Sequence, residues 1–314
     1  MKLAVVALGG NAIAPPSGPL TWASQLAVTR SLVPLLLALR AREYRLVVTH
    51  GNGPQVGAIL SQNEIAAVEV PASPLDVLVA QSQAQIGYAL QTALLEASGE
   101  GIEEVPIALV TLVAVDPKDP EFHTPSKPIG PLVPETRARE LERLGATMAA
   151  DPRGGFRRLV PSPWPQEVLG ASQIRGILGE NPLVIAAGGG GVPVVRDAGG
   201  VHGIEAVVDK DLTSSLLARE LGAELLLLLT DVPHVSLDFG GDEETALGEL
   251  TAREAEGYLL EGQFPPGTMG PKIRGAVDFL DAGGRLAVVV DREGAVSALE
   301  GRAGTRIVPG TARD

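Results

Sequence analysis

Two stretches of the sequence place glycine and asparagine shortly after an apolar run that is typical of a buried parallel strand. The runs span residues 3–8 and 46–48. The residues that follow them include Gly9, Gly10, Asn11, Gly51, Asn52 and Gly53. Glycines allow a close approach of the backbone to a ligand, and backbone N–H groups at the end of such a strand can bind an anion. These residues are also common in ordinary turns, but the repeated design favours an anion site.

Lysine is rare in this chain, so each remaining lysine is a candidate for a role that arginine cannot fill. The 25 basic residues include only five lysines, which are Lys2, Lys118, Lys127, Lys210 and Lys272. Lys210 lies between two aspartates at the start of a helical pattern, where a cation opposes the helix dipole and a bound anion would correct the mismatch. An aspartate at such a start is often only a helix cap. Lys272 also opens a helical pattern, whereas the spacing around Lys127 by itself favours a solvated loop lysine.

Composition and motifs exclude several other chemistries. The chain has no cysteine, which excludes disulfides and thiolate catalysis, and its four histidines show no pair at ligand spacing, so we expect no metal site built by the protein. There is no Ser–His–Asp grouping and no Gly-x-x-x-x-Gly-Lys-Ser/Thr motif, and the loop at 51–53 lacks the further glycine of a dinucleotide fingerprint. Glycine loops combined with lysines suit phosphoryl transfer, in which the protein mainly positions groups and neutralises charge.

Charge and hydropathy indicate the class of partner and the compartment. The net charge of −13 disfavours nucleic acid, because phosphate contacts need clustered cations. No uninterrupted apolar run reaches the length of a membrane span, and the first residues lack a signal-peptide pattern. We therefore expect a cytoplasmic protein that binds small molecules, with neither a nucleic-acid nor a membrane partner.

The elements that must position these residues alternate along the chain. Apolar runs predict strands at 3–8, 46–48, 105–113, 183–187, 225–229 and 286–290, a hairpin at 192–196 and 201–208, and an edge strand at 305–308. Periodic patterns predict helices at 21–42, 54–68, 76–98, 212–221, 251–261 and from 272 to about 282. This alternation predicts an α/β fold, a three-layer αβα sandwich around a mostly parallel sheet, with ligands at the carboxyl ends of the strands.

The composition changes at about residue 115, where prolines become frequent and long apolar runs end. Because a flexible Gly/Ser linker composition is absent, this stretch predicts an ordered lobe outside the main sheet. We place a protruding lid lobe at residues 116–160, inserted in a single domain of residues 1–314.

Along nearly its whole length the chain resembles the carbamate kinases of the amino-acid kinase family. The matching segments are residues 9–12, 50–57, 126–131, 155–163, 188–191, 208–211, 229–232 and 267–272. Their order and spacing are specific, and the lobe segment around Lys127 separates carbamate kinases from members that phosphorylate glutamate, aspartate or uridylate. Departures are small, with Phe156 at a position where tryptophan is expected and hydroxyl exchanges at Ser126 and Thr268.

The resemblance implies reversible phosphoryl transfer between carbamoyl phosphate and ADP, giving ATP and carbamate, which yields ammonia and carbon dioxide. It implies catalytic roles for Lys127, Lys210, Asp211 and Lys272. The loop residues Gly9, Gly10, Asn11, Gly51, Asn52 and Gly53 would bind the substrate, and Thr230, Asp231, Gly267, Met269 and Gly270 would border the nucleotide. Mg²⁺ would be held mainly by phosphates and water, and the protein would be a homodimer.

Two alternatives remain open at this stage. A non-catalytic nucleotide or anion sensor on the same fold would keep the glycine loops but could lose the lysines, and another amino-acid kinase should lack the proline-flanked lobe. The sequence leaves the physiological direction open, as well as the pathway served, whether arginine metabolism or the breakdown of agmatine or purines.

Overall fold

The computed structural model describes residues 2–9, 13–15, 18–98 and 105–310. Gly10 and Asn11, both predicted to bind substrate, lie outside the described residues. The strands are β1 (Leu3–Leu8), β2 (Arg45–His50), β3 (Ile107–Ala108), β4 (Leu112–Val115), β5 (Lys127–Val133), β6 (Thr147–Ala150), β7 (Phe156–Val160), β8 (Pro165–Leu169), β9 (Leu183–Ile185), β10 (Val192–Asp197), β11 (Gly200–Gly203), β12 (Leu225–Thr230), β13 (Val235–Leu237), β14 (Thr245–Leu247), β15 (Glu249–Thr251), β16 (Leu286–Asp291) and β17 (Thr305–Val308). The α-helices are α1 (Trp22–Ala41), α2 (Gly53–Ala66), α3 (Leu75–Ser98), α4 (Glu135–Arg143), α5 (Ala171–Glu180), α6 (Lys210–Leu221), α7 (Ala252–Leu260), α8 (Met269–Asp281) and α9 (Ala295–Ala298).

The main sheet has eight strands in the order β15-β17-β16-β12-β1-β2-β9-β3. Every neighbouring pair is parallel except β16 and β17, which confirms the predicted mostly parallel sheet. The central strand β1 is buried along its whole length, as expected for a strand covered on both faces.

Helices cover the two faces of this sheet and form the outer layers. Side chains of α1, α3 and α9 pack against one face, where Ala4 and Val6 of β1 point. Side chains of α5, α6, α7 and α8 pack against the other face, with Val5 and Ala7. The alternation of adjacent β1 residues between the two cores follows from the two-residue period of a strand. The three-layer αβα architecture is confirmed.

Helix α1 is long and apolar. Among the described residues it is the one helix whose length and composition would allow it to cross a membrane. Its side chains Leu32, Leu36 and Leu39 are fully buried in the core against the sheet. A buried core helix passes the same composition test, so this finding is weak support for a span.

The predicted strand at 105–113 is wrong, because the chain changes sheets within it. β3 is an edge strand of the main sheet, whereas β4 belongs to a second sheet with the order β11-β10-β4-β8. Between them the side chain of Gln83 accepts a hydrogen bond from the Thr111 N–H at 2.8 Å and donates one to the Thr111 carbonyl at 3.2 Å. These two bonds satisfy the backbone of Thr111 away from the main ladder, which lets the chain leave the sheet there.

Two further strand predictions need correction, one in its place in the sheet and one in its boundary. β17 is not an edge strand, because the short strand β15 pairs parallel to its outer side. The predicted hairpin is confirmed as β10 with β11, but its second strand ends at Gly203, well before residue 208.

Residues 127–160 contain a separate three-stranded antiparallel sheet, in the order β5-β7-β6, together with α4. We refer to this unit as the lobe. Ile129 of β5 and Val160 of β7 share an apolar cluster with Val56 of α2, Leu78 of α3 and Val207. The base of the lobe is therefore packed on the main body.

Candidate active site

The loops that leave the carboxyl ends of the main-sheet strands surround one cleft of about 1110 Å³. The sequence-predicted residues on its wall are Gly9, Gly51, Asn52, Gly53, Lys127, Lys210, Asp211, Thr230, Asp231, Gly267, Met269 and Lys272. Gly270 is not on the wall, since its N–H donates to the Pro265 carbonyl at 3.0 Å and shapes the turn before α8. The fold thus brings together residues from six separate sequence segments.

Asp211 is the centre of the charged cluster on the floor of the cleft. Its carboxylate accepts hydrogen bonds from Lys210 Nζ at 2.8 and 2.9 Å and from Lys272 Nζ at 2.8 Å. All three residues are buried. Lys210 and Asp211 open α6 while Lys272 lies in the first turn of α8, so the carboxylate connects the amino ends of two helices.

Burial and neighbouring charges shift the pKa values of the two buried lysines in opposite directions. Burial lowers the pKa of Lys210, and the positive charge of Lys272 acts in the same direction against the nearby carboxylates. Burial also acts against the charge on Lys272, but the carboxylate of Asp211 outweighs it and raises the pKa of Lys272. Lys210 and Lys272 share the carboxylate of Asp211, and a bound anion beside them would favour the charged form of both lysines.

Lys127 reaches this cluster from the lobe. Its Nζ donates to Asp209 Oδ2 at 3.0 Å and to the Val208 carbonyl at 3.3 Å. Asp209 is also the N-cap of α6, because its Oδ1 accepts from the Asp211 N–H at 2.8 Å. Three lysine and two aspartate side chains therefore meet here, and the cluster has an excess of one positive charge when all three lysines are protonated.

The glycine loop after β9 is fixed tightly against the second predicted loop. At Gly189, whose φ is +63°, a Cβ would lie 2.2 Å from Nδ2 of Asn52. Asn52 in turn donates from Nδ2 to Ser82 Oγ of α3 at 2.9 Å. The Thr213 hydroxyl of α6 donates to the Gly190 carbonyl at 2.9 Å. The side chain of Asn52 is thus positioned by the scaffold, and the loops form a rigid wall.

Sequence reasoning missed several residues of the wall, namely Asp209, Arg157, His234 and Phe239. Asp209 carried a signal, as an acidic residue directly before Lys210 at a helix start. Arg157 of the lobe is held by one hydrogen bond of 3.3 Å to the Pro128 carbonyl, and burial lowers its pKa. Nδ1 of His234 is buried with no hydrogen-bond partner among the described residues. Arg157 lies in the matching segment 155–163, whereas nothing in the local sequence marked His234 or Phe239.

Metal ligands built by the protein are not evident in the part of the chain that the structure describes. No group of three or more His, Asp or Glu side chains there is placed to hold a metal ion. The two carboxylates on the cleft floor, Asp209 and Asp211, are both paired with lysines. A divalent cation in this cleft would therefore take most of its ligands from a bound phosphate and water.

The sequence matches the profile of the Amino acid kinase family over residues 2–291. The chain belongs to this amino acid kinase family. Among its relatives, a carbamate kinase of Pyrococcus horikoshii is 42% identical over 309 residues, which cover 97% of this chain and 98% of that protein. A carbamate kinase of Halobacterium salinarum is 43% identical over 310 residues, covering 98% of this chain and 99% of the other.

Solved structures agree with the assignment to the amino acid kinase family. The structure of carbamate kinase from Giardia lamblia bound to AMP-PNP superposes with a TM-score of 0.88 at 37% sequence identity, over 98% of this chain and 99% of that chain. The resemblance inferred from the sequence motifs is confirmed.

Proposed function

We propose that this protein is a phosphotransferase with carbamate kinase activity, converting carbamoyl phosphate and ADP to carbamate and ATP in a reversible reaction. The observation that carries this proposal is the joining of Lys210 and Lys272 through Asp211 beside the lobe residue Lys127. Such an arrangement neutralises an anion from two sides of one cleft, as phosphoryl transfer requires. The carbamate kinase relatives described above support the same activity.

The chemistry needs positioned charge more than it needs proton transfer. An oxygen of the ADP β-phosphate attacks the phosphorus of carbamoyl phosphate, and the bond from phosphorus to the carbamate oxygen breaks. Both the attacking phosphate and the departing carbamate are anions, so no general base has to act. Lys210 and Lys272 would stabilise the charge on the transferring group and on the β-phosphate. Asp211 would orient both ammonium groups.

The remaining predicted residues that line the cleft are assigned by their places on its wall, and Gly10 and Asn11 are assigned by the sequence resemblance alone. We assign carbamate and the phosphoryl group to the loops that hold Gly9, Gly10, Asn11, Gly51, Asn52 and Gly53. We assign the nucleotide to the side formed by Thr230, Asp231, Gly267, Met269 and Gly270. For Gly270 the support is indirect, through the shape of the turn that presents Met269.

Mg²⁺ is the cation that suits this donor set. Both floor carboxylates are engaged by lysines, so the nucleotide phosphates and water would hold the ion. When bound, Mg²⁺ would neutralise negative charge on the nucleotide phosphates. The lysines of the cleft would supply the remaining positive charge.

We further propose that the enzyme acts in the cytoplasm and that the lobe serves as a lid over the cleft. We also propose that the enzyme is a homodimer. Trp22 of α1 and Tyr88 of α3 stack with ring centroids 5.1 Å apart, and they are 40% and 59% exposed. Exposed aromatic surface of this kind favours association. Sedimentation velocity at micromolar concentration distinguishes a dimer from a monomer.

The test of the activity is ATP formation from ADP and carbamoyl phosphate with Mg²⁺, followed by luminescence. We expect turnover with carbamoyl phosphate well above that with acetyl phosphate, and no ATP-dependent phosphorylation of glutamate or aspartate. Lys272→Met should abolish ATP formation, whereas Lys118→Met, at an exposed position, should retain it. Nucleotide binding without turnover would identify a sensor instead, and phosphorylation of glutamate or aspartate would identify another amino acid kinase.

A further inference from the structure

Asp209 uses its two carboxylate oxygens for two different purposes. Oδ1 accepts the backbone N–H of Asp211 at 2.8 Å and caps α6, whereas Oδ2 accepts the ammonium of Lys127 at 3.0 Å. The first bond fixes the carboxylate to the main body. The second bond joins it to the lobe, 82 residues away in the sequence. An ordinary helix cap needs only the first.

The surroundings of Asp209 keep its carboxylate charged. Burial acts against ionisation, but the ammonium groups of Lys127, Lys210 and Lys272 outweigh it and hold the pKa of Asp209 well below its usual range. The side chains of Lys127 and Asp209 are 22% and 16% exposed, so water screens this pair less than it screens a surface pair.

The geometry also leaves Lys127 able to bind a ligand. An ammonium group has three N–H donors. Two of them are used by the Asp209 carboxylate and the Val208 carbonyl, which leaves one donor on the side chain that lines the cleft.

We propose that Asp209 is a positioning residue that holds the ammonium of Lys127 in the cleft before substrate arrives. The lobe then closes over carbamoyl phosphate with its cation already oriented, so the entropic cost of ordering a long side chain is met by the protein in advance. This inference rests on the proposed function, because it assumes that Lys127 binds the phosphoryl group.

The matched variant is Asp209→Asn, because asparagine caps helices as well as aspartate does but carries no charge. We expect the variant to remain folded, with a lower melting temperature, because the charged carboxylate of Asp209 stabilises the native protein at neutral pH. We expect KM for carbamoyl phosphate to rise by roughly tenfold, the size typical of one lost charge contact, with a smaller change in kcat. Asp209→Ser, a second capping residue without charge, should behave in the same way. Asp116→Asn removes an exposed charge from a turn before the lobe and should leave KM unchanged.

The second arm of the experiment tests the partnership with Lys127. In a Lys127→Met background, Asp209→Asn should add little to the rise in KM, because the pair is already broken. An unchanged KM in Asp209→Asn, or the same fold-change in both backgrounds, would overturn the proposal and leave Asp209 as a helix cap only.

Hydrogen exchange of the ligand-free protein separates this proposal from the proposed function. Asp209→Asn should increase exchange in β5 relative to wild type, and unchanged exchange there would also overturn it. This readout needs no substrate. If wild-type protein makes no ATP from carbamoyl phosphate, the proposed function fails, while the exchange comparison still decides whether Asp209 holds the lobe lysine.

Discussion

Gly57 of α2 lies in direct backbone contact with Gly130 of β5, the strand that carries Lys127. A Cβ on Gly57 would lie 2.0 Å from the Cα of Gly130 and 2.2 Å from its nitrogen. The neighbour is backbone, so no side-chain rotation can make room. Because α2 follows the Gly51–Gly53 loop directly, this contact sets the distance between a predicted substrate loop and the lobe.

Gly57→Ala should therefore displace the lobe from the body. We expect the free energy of unfolding to fall by about 1–3 kcal/mol, the range for overpacking, and turnover to fall because Lys127 moves away from the cleft. Denaturant unfolding and the ATP-formation assay measure the two effects. Gly176→Ala in α5 is the control, since no atom lies within 4 Å of its Cβ position. It should be neutral or stabilising by up to about 1 kcal/mol.

Lys210→Arg and Lys272→Arg should each lose turnover while the protein stays folded. Both ammonium groups are buried against one carboxylate, and a planar guanidinium is too wide to repeat these point contacts. We expect a loss on the order of 10²–10³ in kcat. Steady-state kinetics, with circular dichroism to confirm folding, measure this loss.

Lys118→Arg serves as the control for both lysine variants, because Lys118 is exposed. A charge-preserving change on the surface should stay within about twofold of wild type. Near-normal turnover in all three variants would contradict the assignment of Lys210 and Lys272 to the reacting phosphates.

His50 should make the protein sensitive to acid. It is buried in the core beside the second glycine loop, and its Nδ1 donates to the Gly51 carbonyl at 2.8 Å. Burial lowers its pKa from 6.5 to about 4. Between these two values the unfolded chain binds a proton that the native protein does not, so stability is lost as the pH falls through this window. The loss between about pH 7.5 and about pH 5 is roughly 2 kcal/mol.

His50→Asn tests this origin of the acid sensitivity. The variant should be less stable at neutral pH because it loses packing, but its free energy of unfolding should fall less steeply between those two pH values. Urea unfolding at each pH measures the slope. His123→Asn replaces an exposed histidine and should keep the wild-type slope. Identical slopes in all three proteins would show that His50 does not cause the sensitivity.

The lobe should become protected from hydrogen exchange when both substrates are bound. Lid closure excludes water from a reacting phosphoryl group, and Lys127 and Arg157 both line the cleft from the lobe. We expect slower exchange across residues 127–160 with ADP and a carbamoyl phosphate analogue than without ligands. Peptides from β1 and β12 provide the internal reference, because these strands are already buried. Equal exchange in both states would count against a lid.

The sequence by itself determined most of the elements that frame the cleft and the positions of the reactive groups along them, but not the strands and helices between residues 127 and 180. The buried strand at residues 3–8, the helix that starts at Lys210 and the one that carries Lys272 follow from local periodicity and helix-start chemistry, which act over a few residues. The parallel sheet followed from the alternation of strands and helices. Because parallel strands end on the same side of a sheet, the sequence also predicted that Gly9 and the Gly51–Gly53 loop lie at the same edge.

Tertiary structure decided which distant residues meet. Lys272 reaches Asp211 across 61 residues, and Lys127 reaches Asp209 across 82. These contacts depend on how α8 packs on α6 and how the lobe packs on α2. The break in the predicted strand at 105–113 has the same cause, since Gln83 of α3 binds the backbone of Thr111. No local pattern encodes such pairings, because their geometry is set by the packing of elements that are remote in the sequence.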